Sequence, residues 1–355
     1  MKINNLIVLF FAFSIVSCSN FYSMEDFASV EKIDAHYHIY SDASISMEQA
    51  AKDNFKLMTI NTHSGSCERV VDAHQWLTSL HTKFPSDFEY TTTFCLDGWE
   101  EPGWEENTIS WIDQCIADGA ISVKVWKNIG MEFRDKDSVL VMIDDPQFDA
   151  VMAHLATKGI PLVGHLGEPK ACWQPVEEMK ANNNKNYFTN NPHYHMYLHP
   201  DYPSYEEQMN ARDRMLEKNP NLVFIGCHLA SLEWSVDVLA EWLDQFPNAS
   251  VDMAARMGDL FYQTRDDHKK VYDFFLKYQD RILYGTDIGE RGGEDKDAFH
   301  KRMNETWLRD WEYLVTDNKM TSRLIDGEFQ GLKLPKEVVD KVYSENTKKW
   351  YKSFK

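Results

Sequence analysis

The chain has 355 residues and a formal net charge of −19, from 56 acidic and 37 basic residues. This length allows two modest domains or one (β/α)8 barrel, which typically needs about 250 residues, and we take one domain as the default. The acidic balance provides no basic surface to capture phosphates, so it excludes a nucleic acid partner and favours a small-molecule substrate.

The first 18 residues are interpreted as an export signal. An apolar run from Leu6 to Val16 is shorter than the roughly 20 apolar residues of a spanning helix. The sequence Ile15-Val16-Ser17-Cys18 resembles a bacterial lipobox, which implies that Cys18 is lipidated and becomes the first mature residue. We therefore expect an exported protein, attached only by this anchor to the periplasmic face of the envelope or the cell surface. An ordinary cleaved signal peptide and an anchor helix are the alternatives.

Five further cysteines are spaced widely and irregularly, at Cys67, Cys95, Cys115, Cys172 and Cys227. Such spacing predicts neither a disulfide framework nor a zinc knuckle. Two of them, Cys95 and Cys227, lie in apolar runs and are interpreted as small core residues. Because the number is odd, at least one thiol is expected to be free.

After a short linker at 19–29, apolar strand-like runs alternate with helical segments, a pattern typical of a parallel α/β fold. The eight predicted strands are 30–40, 55–62, 88–96, 121–126, 160–165, 222–228, 249–254 and 282–286. Apolar spacing predicts helices between them, for example after Pro146, at 232–246 and around Val271 to Tyr278. The count favours a single (β/α)8 TIM barrel over 30–355, although an open doubly wound sheet shares this local pattern.

Two segments depart from the alternation. Residues 171–220 exceed what one crossover needs, so they are interpreted as an extended loop insertion after strand five, with a helix near its end. After strand eight comes a mostly helical C-terminal tail, expected to pack outside the barrel.

Metal-ligating side chains fall at the carboxyl ends of the predicted strands. His36 and His38 close strand one and, being two residues apart, point to the same side. His165 ends strand five, His228 ends strand six and Asp287 ends strand eight. In a barrel these ends share one rim, which predicts a metal or acid–base site there.

On these motifs the chain resembles the amidohydrolase superfamily, in the amidohydrolase-related (amidohydrolase family 2) branch that includes sugar-lactone hydrolases and aromatic-acid decarboxylases. The resemblance spans roughly residues 30 to 351 and rests on DAHYH, GH, GCH, GTD and the closing LPKEVVDKVYSEN segment. It implies one divalent ion, usually zinc, held by His36, His38, His165 and Asp287. His228 and Asp287 are then the catalytic residues, acting on a metal-bound water and its proton.

Lys124, late in strand four, has two interpretations. Binuclear relatives carry a carboxylated lysine here that bridges two metals, whereas a plain ammonium would bind a substrate carboxylate or hydroxyl. We favour substrate binding, and a second metal ion is expected only if Lys124 is carboxylated. A rim lysine in solvent is the third possibility.

Further candidates for substrate binding follow other strands: Arg256, Arg291 and Glu168, the last of which could instead support His165 or begin a helix. Tyr194 in the insertion is expected to help cap the barrel mouth. The pair His193 and His195 could form an extra metal site, but a polar and aromatic cap is the preferred interpretation.

The sequence thus predicts an exported, metal-dependent hydrolase of a lactone or ester of a sugar acid. The alternatives are a metal-dependent non-oxidative decarboxylase of an unsaturated or aromatic acid, and a catalytically inactive carbohydrate-binding lipoprotein.

Overall fold

The computed structural model describes residues 20–42, 44–62 and 66–352, in which eight parallel strands alternate with helices. Every strand predicted from the sequence is present, and each is shorter than its apolar run. The strands are β1 (Lys32–Ile39), β2 (Phe55–Thr59), β3 (Phe88–Tyr90), β4 (Val123–Val125), β5 (Leu162–Gly164), β6 (Phe224–Gly226), β7 (Ala249–Asp252) and β8 (Ile282–Leu283).

The strands close into a barrel. They form two arcs, β3-β2-β1 and β4-β5-β6-β7-β8, with a short strand β9 (Gly289–Glu290) paired to β1. A parallel bridge between Thr92 and Val123 joins the arcs on one side. On the other, the Ala35 amide donates to the Tyr284 carbonyl over 3.0 Å and the Asp287 amide donates to the His36 carbonyl over 2.8 Å. These bonds confirm the (β/α)8 barrel and rule out an open sheet.

Helices surround this barrel. They are α1 (Ser46–Lys52), α2 (Cys67–Lys83), α3 (Trp104–Ala117), α4 (Asn128–Met131), α5 (Asp149–Lys158), α6 (Asn182–Asn190), α7 (Tyr205–Lys218), α8 (Cys227–Ala230), α9 (Val236–Gln245), α10 (Met257–Asp266), α11 (His268–Lys277), α12 (Lys296–Val315), α13 (Lys336–Asp340) and α14 (Asn346–Tyr351). Gly159 ends α5 with φ 66°, a left-handed conformation that glycine adopts without strain.

The long segment after β5 has a small core of its own. Short 3₁₀ turns at Lys170–Trp173, Val176–Glu178, Pro192–Tyr194 and Met196–Leu198 surround α6 and precede α7. Four of its buried side chains, Cys172, Met179, Phe188 and Met196, pack together with Met131 of α4. This packing holds the segment after β5 against the end of α4.

The tail differs from the prediction in one respect. Helix α12 packs outside the barrel, burying Trp307 and Trp311, and an antiparallel pair β10 (Lys319–Thr321) and β11 (Glu328–Gln330) follows it. A π-helical turn at Lys341–Glu345 then continues α13 into α14. Tyr351 is buried among the interior side chains of the barrel, with Ile33 and Cys227, so the chain end enters the barrel instead of remaining outside it.

The expectation that the cysteines form no disulfide is wrong for one pair. Cys67 and Cys95 are bonded, with their Cα atoms 5.0 Å apart. Because β2 and β3 are neighbours, the residues that follow them meet at one rim, although they are 28 positions apart in sequence. Cys95 is therefore a cross-link and not a simple core residue. Cys115, Cys172 and Cys227 are free and buried, which confirms that at least one thiol remains unpaired.

The predicted lipidation residue, Cys18, lies outside the described residues. Within them, no helix is both long enough and apolar enough to cross a membrane.

Candidate metal centre

Two imidazoles on β1 present the same nitrogen atom to a common point. His36 Nδ1 lies 2.8 Å from Asp252 Oδ2, and His38 Nδ1 lies 2.8 Å from the Ile60 carbonyl oxygen. Since a carbonyl can only accept, His38 donates from Nδ1 and keeps a lone pair on Nε2. The Asp252 carboxylate selects the same tautomer for His36. Both residues therefore direct Nε2 towards a potential ion. In metal-binding histidines a hydrogen bond at the other ring nitrogen typically fixes the ring in this orientation.

Asp287 completes this group from the end of β8. Its Oδ1 lies 2.9 Å from His38 Nε2 and 3.5 Å from His36 Nε2, while its side chain is 34% exposed. Burial raises the pKa of Asp287, but its close contact with His38 and the nearby His36 hold it well below its usual value. His36, His38 and Asp287 form a set whose ligand atoms all lie within 4.8 Å of one another.

His165 lies at the end of β5, beside His228 and not within that set. Its Nε2 is buried without a hydrogen-bond partner, and Glu168 Oε2 is 3.6 Å away. Burial lowers the pKa of His165 to about 3, so the imidazole is neutral at pH 7. A neutral, buried imidazole without a partner is chemically suited to bind a metal ion.

Glu168 is fully buried and forms an ion pair with Lys127, a residue that the sequence did not single out. Burial raises the pKa of Glu168, but Lys127 and His165 outweigh this and hold it well below its usual value. Lys127 also donates to the Tyr187 hydroxyl over 2.9 Å and lies 3.8 Å from the centre of the Tyr194 ring. Lys127 thus ties Tyr187 and Tyr194 of the insertion to Glu168, which in turn lies beside His165.

His228 contacts both neighbouring imidazoles, with ring centroids 4.7 Å from His36 and 4.2 Å from His165. Its Nδ1 donates to the Ala254 carbonyl over 2.8 Å, which leaves Nε2 as the free atom. Burial and the neighbouring cations and imidazoles lower its pKa well below the usual value. His228 is therefore neutral and can accept a hydrogen bond at Nε2.

The backbone that carries His228 is strained. Residues 228–231 have φ values between 55° and 58°, a left-handed conformation that costs roughly 1–2 kcal/mol per non-glycine residue. Ala255 and Asp287, after β7 and β8, are left-handed as well. Such strain concentrates at functional sites, where the surrounding structure maintains it.

Asp252, at the end of β7, is the main site residue that the sequence reasoning missed. It is buried and accepts hydrogen bonds from the His228 amide at 2.8 Å and the Ala254 amide at 3.1 Å, besides its contact with His36. Burial lowers the pKa of His36, but the neighbouring Asp252 and Cys227 outweigh burial and raise it to about 10, so a metal ion bound at Nε2 would displace a proton from that atom. Asp252 could have been found from the sequence as an acidic residue near the carboxyl end of predicted strand seven.

Lys124 is fully buried inside the barrel and donates from Nζ to Cys227 Sγ over 2.8 Å. It lies close enough to lower the pKa values of His165 and His228. This position rules out the rim lysine in solvent.

The two predicted arginines occupy different places. Arg256 is buried, with Nη1 3.2 Å from the Ala255 carbonyl and Nε without a partner. Arg291 is exposed and lies 5.2 Å from the centre of the Tyr40 ring, which stacks on His38. Arg256 therefore borders the imidazoles, whereas Arg291 stands further out.

The histidines of the insertion are engaged elsewhere. His195 contacts the Gln174 carbonyl at 2.8 Å, and His193 packs on Tyr194. Among the described residues they belong to no set close enough to bind a metal. The extra metal site suggested by their spacing is not formed.

Together these residues fit a divalent ion. His36 and His38 each offer Nε2, Asp287 offers an oxygen, and the unpartnered Nε2 of His165 lies nearby. Imidazole nitrogens and carboxylate oxygens are the ligands that zinc and related divalent ions take in enzymes, with an open position for water or substrate.

A barrel with imidazoles and a carboxylate at the carboxyl ends of its strands defines the class of protein. A family model described as amidohydrolase matches residues 101–352, and the chain belongs to this family. No curated protein sequence matches the chain.

Solved structures share the fold at low sequence identity. A 2,6-dihydroxybenzoate decarboxylase from Rhizobium has 13% identity and a TM-score of 0.54, covering 91% of this chain and 98% of its own. A 5-carboxyvanillate decarboxylase from Novosphingobium aromaticivorans, in complex with manganese, has 10% identity and a TM-score of 0.55, covering 95% and 100%.

Proposed function

We propose that this chain removes carbon dioxide, without oxidation, from an unsaturated or aromatic carboxylic acid. The observation that carries the proposal is the charge around the imidazoles. After burial, the cations Lys124, Lys127 and Arg256 contribute to the lowered pKa values of His165 and His228. Lys127 is paired with Glu168, so Lys124 and Arg256, with its unpartnered Nε, are the cations left to attract an anionic substrate, whereas a neutral lactone gains little from them.

A divalent ion held by His36, His38, His165 and Asp287 would supply Lewis acidity and orient the substrate. Imidazole and carboxylate ligands suit zinc, and the solved 5-carboxyvanillate decarboxylase contains manganese. Metal analysis of the purified protein distinguishes these two ions.

The residues of the chain then have distinct roles. Arg256, whose Nε lacks a partner, binds the substrate carboxylate. The bond between that carboxylate and its carbon breaks, carbon dioxide leaves, and the electron pair remains on the carbon. This carbon takes a proton relayed from solvent by Asp287, the exposed member of the site, while neutral His228 orients the reacting group through Nε2.

The names of the solved structures support the same chemistry, since both are decarboxylases of aromatic acids. The hydrolysis expected from the sequence becomes the second candidate. It is favoured by the Tyr187 and Tyr194 rings, which lie nearly parallel at 6.4 Å and offer a surface on which a sugar ring can stack.

The test is a substrate screen of the metal-loaded protein against hydroxybenzoates, unsaturated acids and sugar-acid lactones, measuring carbon dioxide and acid release in parallel. We expect carbon dioxide from an acid, and its loss in His228→Asn. Acid release from lactones without carbon dioxide would establish hydrolysis instead.

We also propose that the protein is exported and anchored through lipidated Cys18. The Cys67–Cys95 disulfide supports this, because disulfides persist mainly in oxidising compartments. Cell fractionation tests it: the natural sequence should partition with membranes and Cys18→Ser should not. Equal partitioning of both would contradict the anchor.

A further inference from the structure

A cavity of about 280 Å³ lies between the barrel and α12, on the flank of the metal centre. Its barrel side is formed by the segment after β8, including Thr286, Asp287 and Gly289. None of the four histidines of the metal centre, all of them described, lines it. The cavity therefore shares Asp287 with the metal centre but is a separate space.

Three guanidinium groups line this cavity: Arg302, Arg309 and Arg323. Arg302 and Arg309 are seven residues apart on α12 and, with Thr306 between them, form one stripe of the helix surface. The adjacent face of α12 is buried through Met303 and Trp307. Arg323 approaches from the turn after β10. The amphipathic pattern of α12 thus places its basic residues in the cavity.

In the part of the chain that the structure describes, two of these guanidiniums form no ion pair, although Arg302 is close enough to Glu294 to help lower its pKa. Arg309 is bound to Asp310 through Nε at 2.8 Å and Nη2 at 2.6 Å. Within residues 20–42, 44–62 and 66–352, neither Arg302 nor Arg323 is within ion-pair distance of a carboxylate. Arg214, by contrast, is exposed and pairs with Asp144. The lining contains three guanidiniums against the carboxylates of Asp287 and Asp310, an excess of positive charge in a chain of −19.

We propose that this cavity binds a small oxyanion, a carboxylate or phosphate group, gripped by Arg302 and Arg323 with Arg309 beside them. Guanidinium is the group best matched to such ligands, because its paired N–H donors bind two oxygens at once. Thr306 lies on the same wall, as does Gly289, whose carbonyl accepts a hydrogen bond from Arg302 Nη2 at 3.4 Å. Neither the metal nor the proposed decarboxylation is needed for binding here.

Isothermal titration with inorganic phosphate and with malonate, at constant ionic strength, tests the proposal. It is run on metal-loaded and on chelator-treated protein. We expect one saturable site per chain in both preparations, and the preferred probe identifies phosphate or carboxylate as the natural group. Arg302→Gln and Arg323→Gln should each weaken binding about ten-fold or more, and Arg323→Lys should retain part of it.

Arg214→Gln is the matched control, since it removes an exposed guanidinium remote from the cavity in sequence and already paired. Thermal unfolding of every variant verifies that it is folded. Absence of saturable binding, or equal binding by the Arg302, Arg323 and Arg214 variants, would overturn the proposal. Binding that disappears with the chelator would also overturn it, by assigning the anion to the metal. Because binding is measured without turnover, failure here leaves the decarboxylase proposal intact.

Discussion

Replacing Asp252 by Asn should weaken metal binding without changing any of the predicted ligands. The Asp252 carboxylate accepts from His36 Nδ1 at 2.8 Å through Oδ2 and from the His228 and Ala254 amides through Oδ1. An Asn oxygen can still accept from both amides. Its NH₂ group then faces His36 and can only donate, so His36 must accept at Nδ1 and carry its proton on Nε2. That proton occupies the atom that would bind the metal.

Loss of such a supporting partner typically weakens metal binding about 10- to 100-fold. This corresponds to roughly 1.4–2.8 kcal/mol of binding free energy. Competition with a chromogenic chelator measures the dissociation constant of each variant at one pH. Urea denaturation of the same samples shows whether the variant folds.

Asp213→Asn is the control, since Asp213 also accepts two hydrogen bonds, from Arg212 Nε at 2.8 Å and Trp242 Nε1 at 2.9 Å, but supports no ligand of the proposed centre. We expect Asp213→Asn to bind metal as the natural sequence does. If Asp252→Asn also does so, His36 is not a ligand through Nε2 and the tautomer argument is refuted.

Three further predictions concern stability. Replacing Cys67 and Cys95 together by Ser should lower the free energy of unfolding by about 3 kcal/mol, which is typical for a disulfide that closes a loop of this length. An equal loss when reducing agent is added to the natural sequence would confirm that the disulfide is the cause. Lys127→Met should lower the free energy of unfolding by about 3–5 kcal/mol, because it leaves the Glu168 charge buried without a partner. Adding Glu168→Gln should recover part of that loss. Denaturant titrations that show no such recovery would contradict the buried ion pair. Burial lowers the pKa of Lys32 from 10.5 to about 8, so between these pH values the unfolded chain binds more protons than the folded chain. The contribution of Lys32 to stability therefore rises with pH across this window. Unfolding measured at pH 8 and pH 10 should show this rise relative to Lys32→Met, and parallel pH profiles of the two proteins would exclude it.

The sequence by itself determined the barrel and most of the candidate site. Apolar runs of strand length alternated with amphipathic helices, and that local signal placed all eight strands. Because the carboxyl ends of parallel strands share one rim, the positions of His36, His38 and Asp287 were enough to predict that they meet.

The tertiary structure decided what depends on partners far apart in the chain. The free nitrogen of His36 follows from Asp252, 216 residues away. The disulfide follows from the adjacency of β2 and β3, and Glu168 is neutralised by Lys127, 41 residues before it. Closure of the barrel also brings the C-terminal tail against β8. Tyr351 is therefore buried among the barrel's interior side chains, and three arginines line one cavity. Periodicity reports which face of an element is buried, whereas the identity of the neighbour across that face exists only once the barrel has closed.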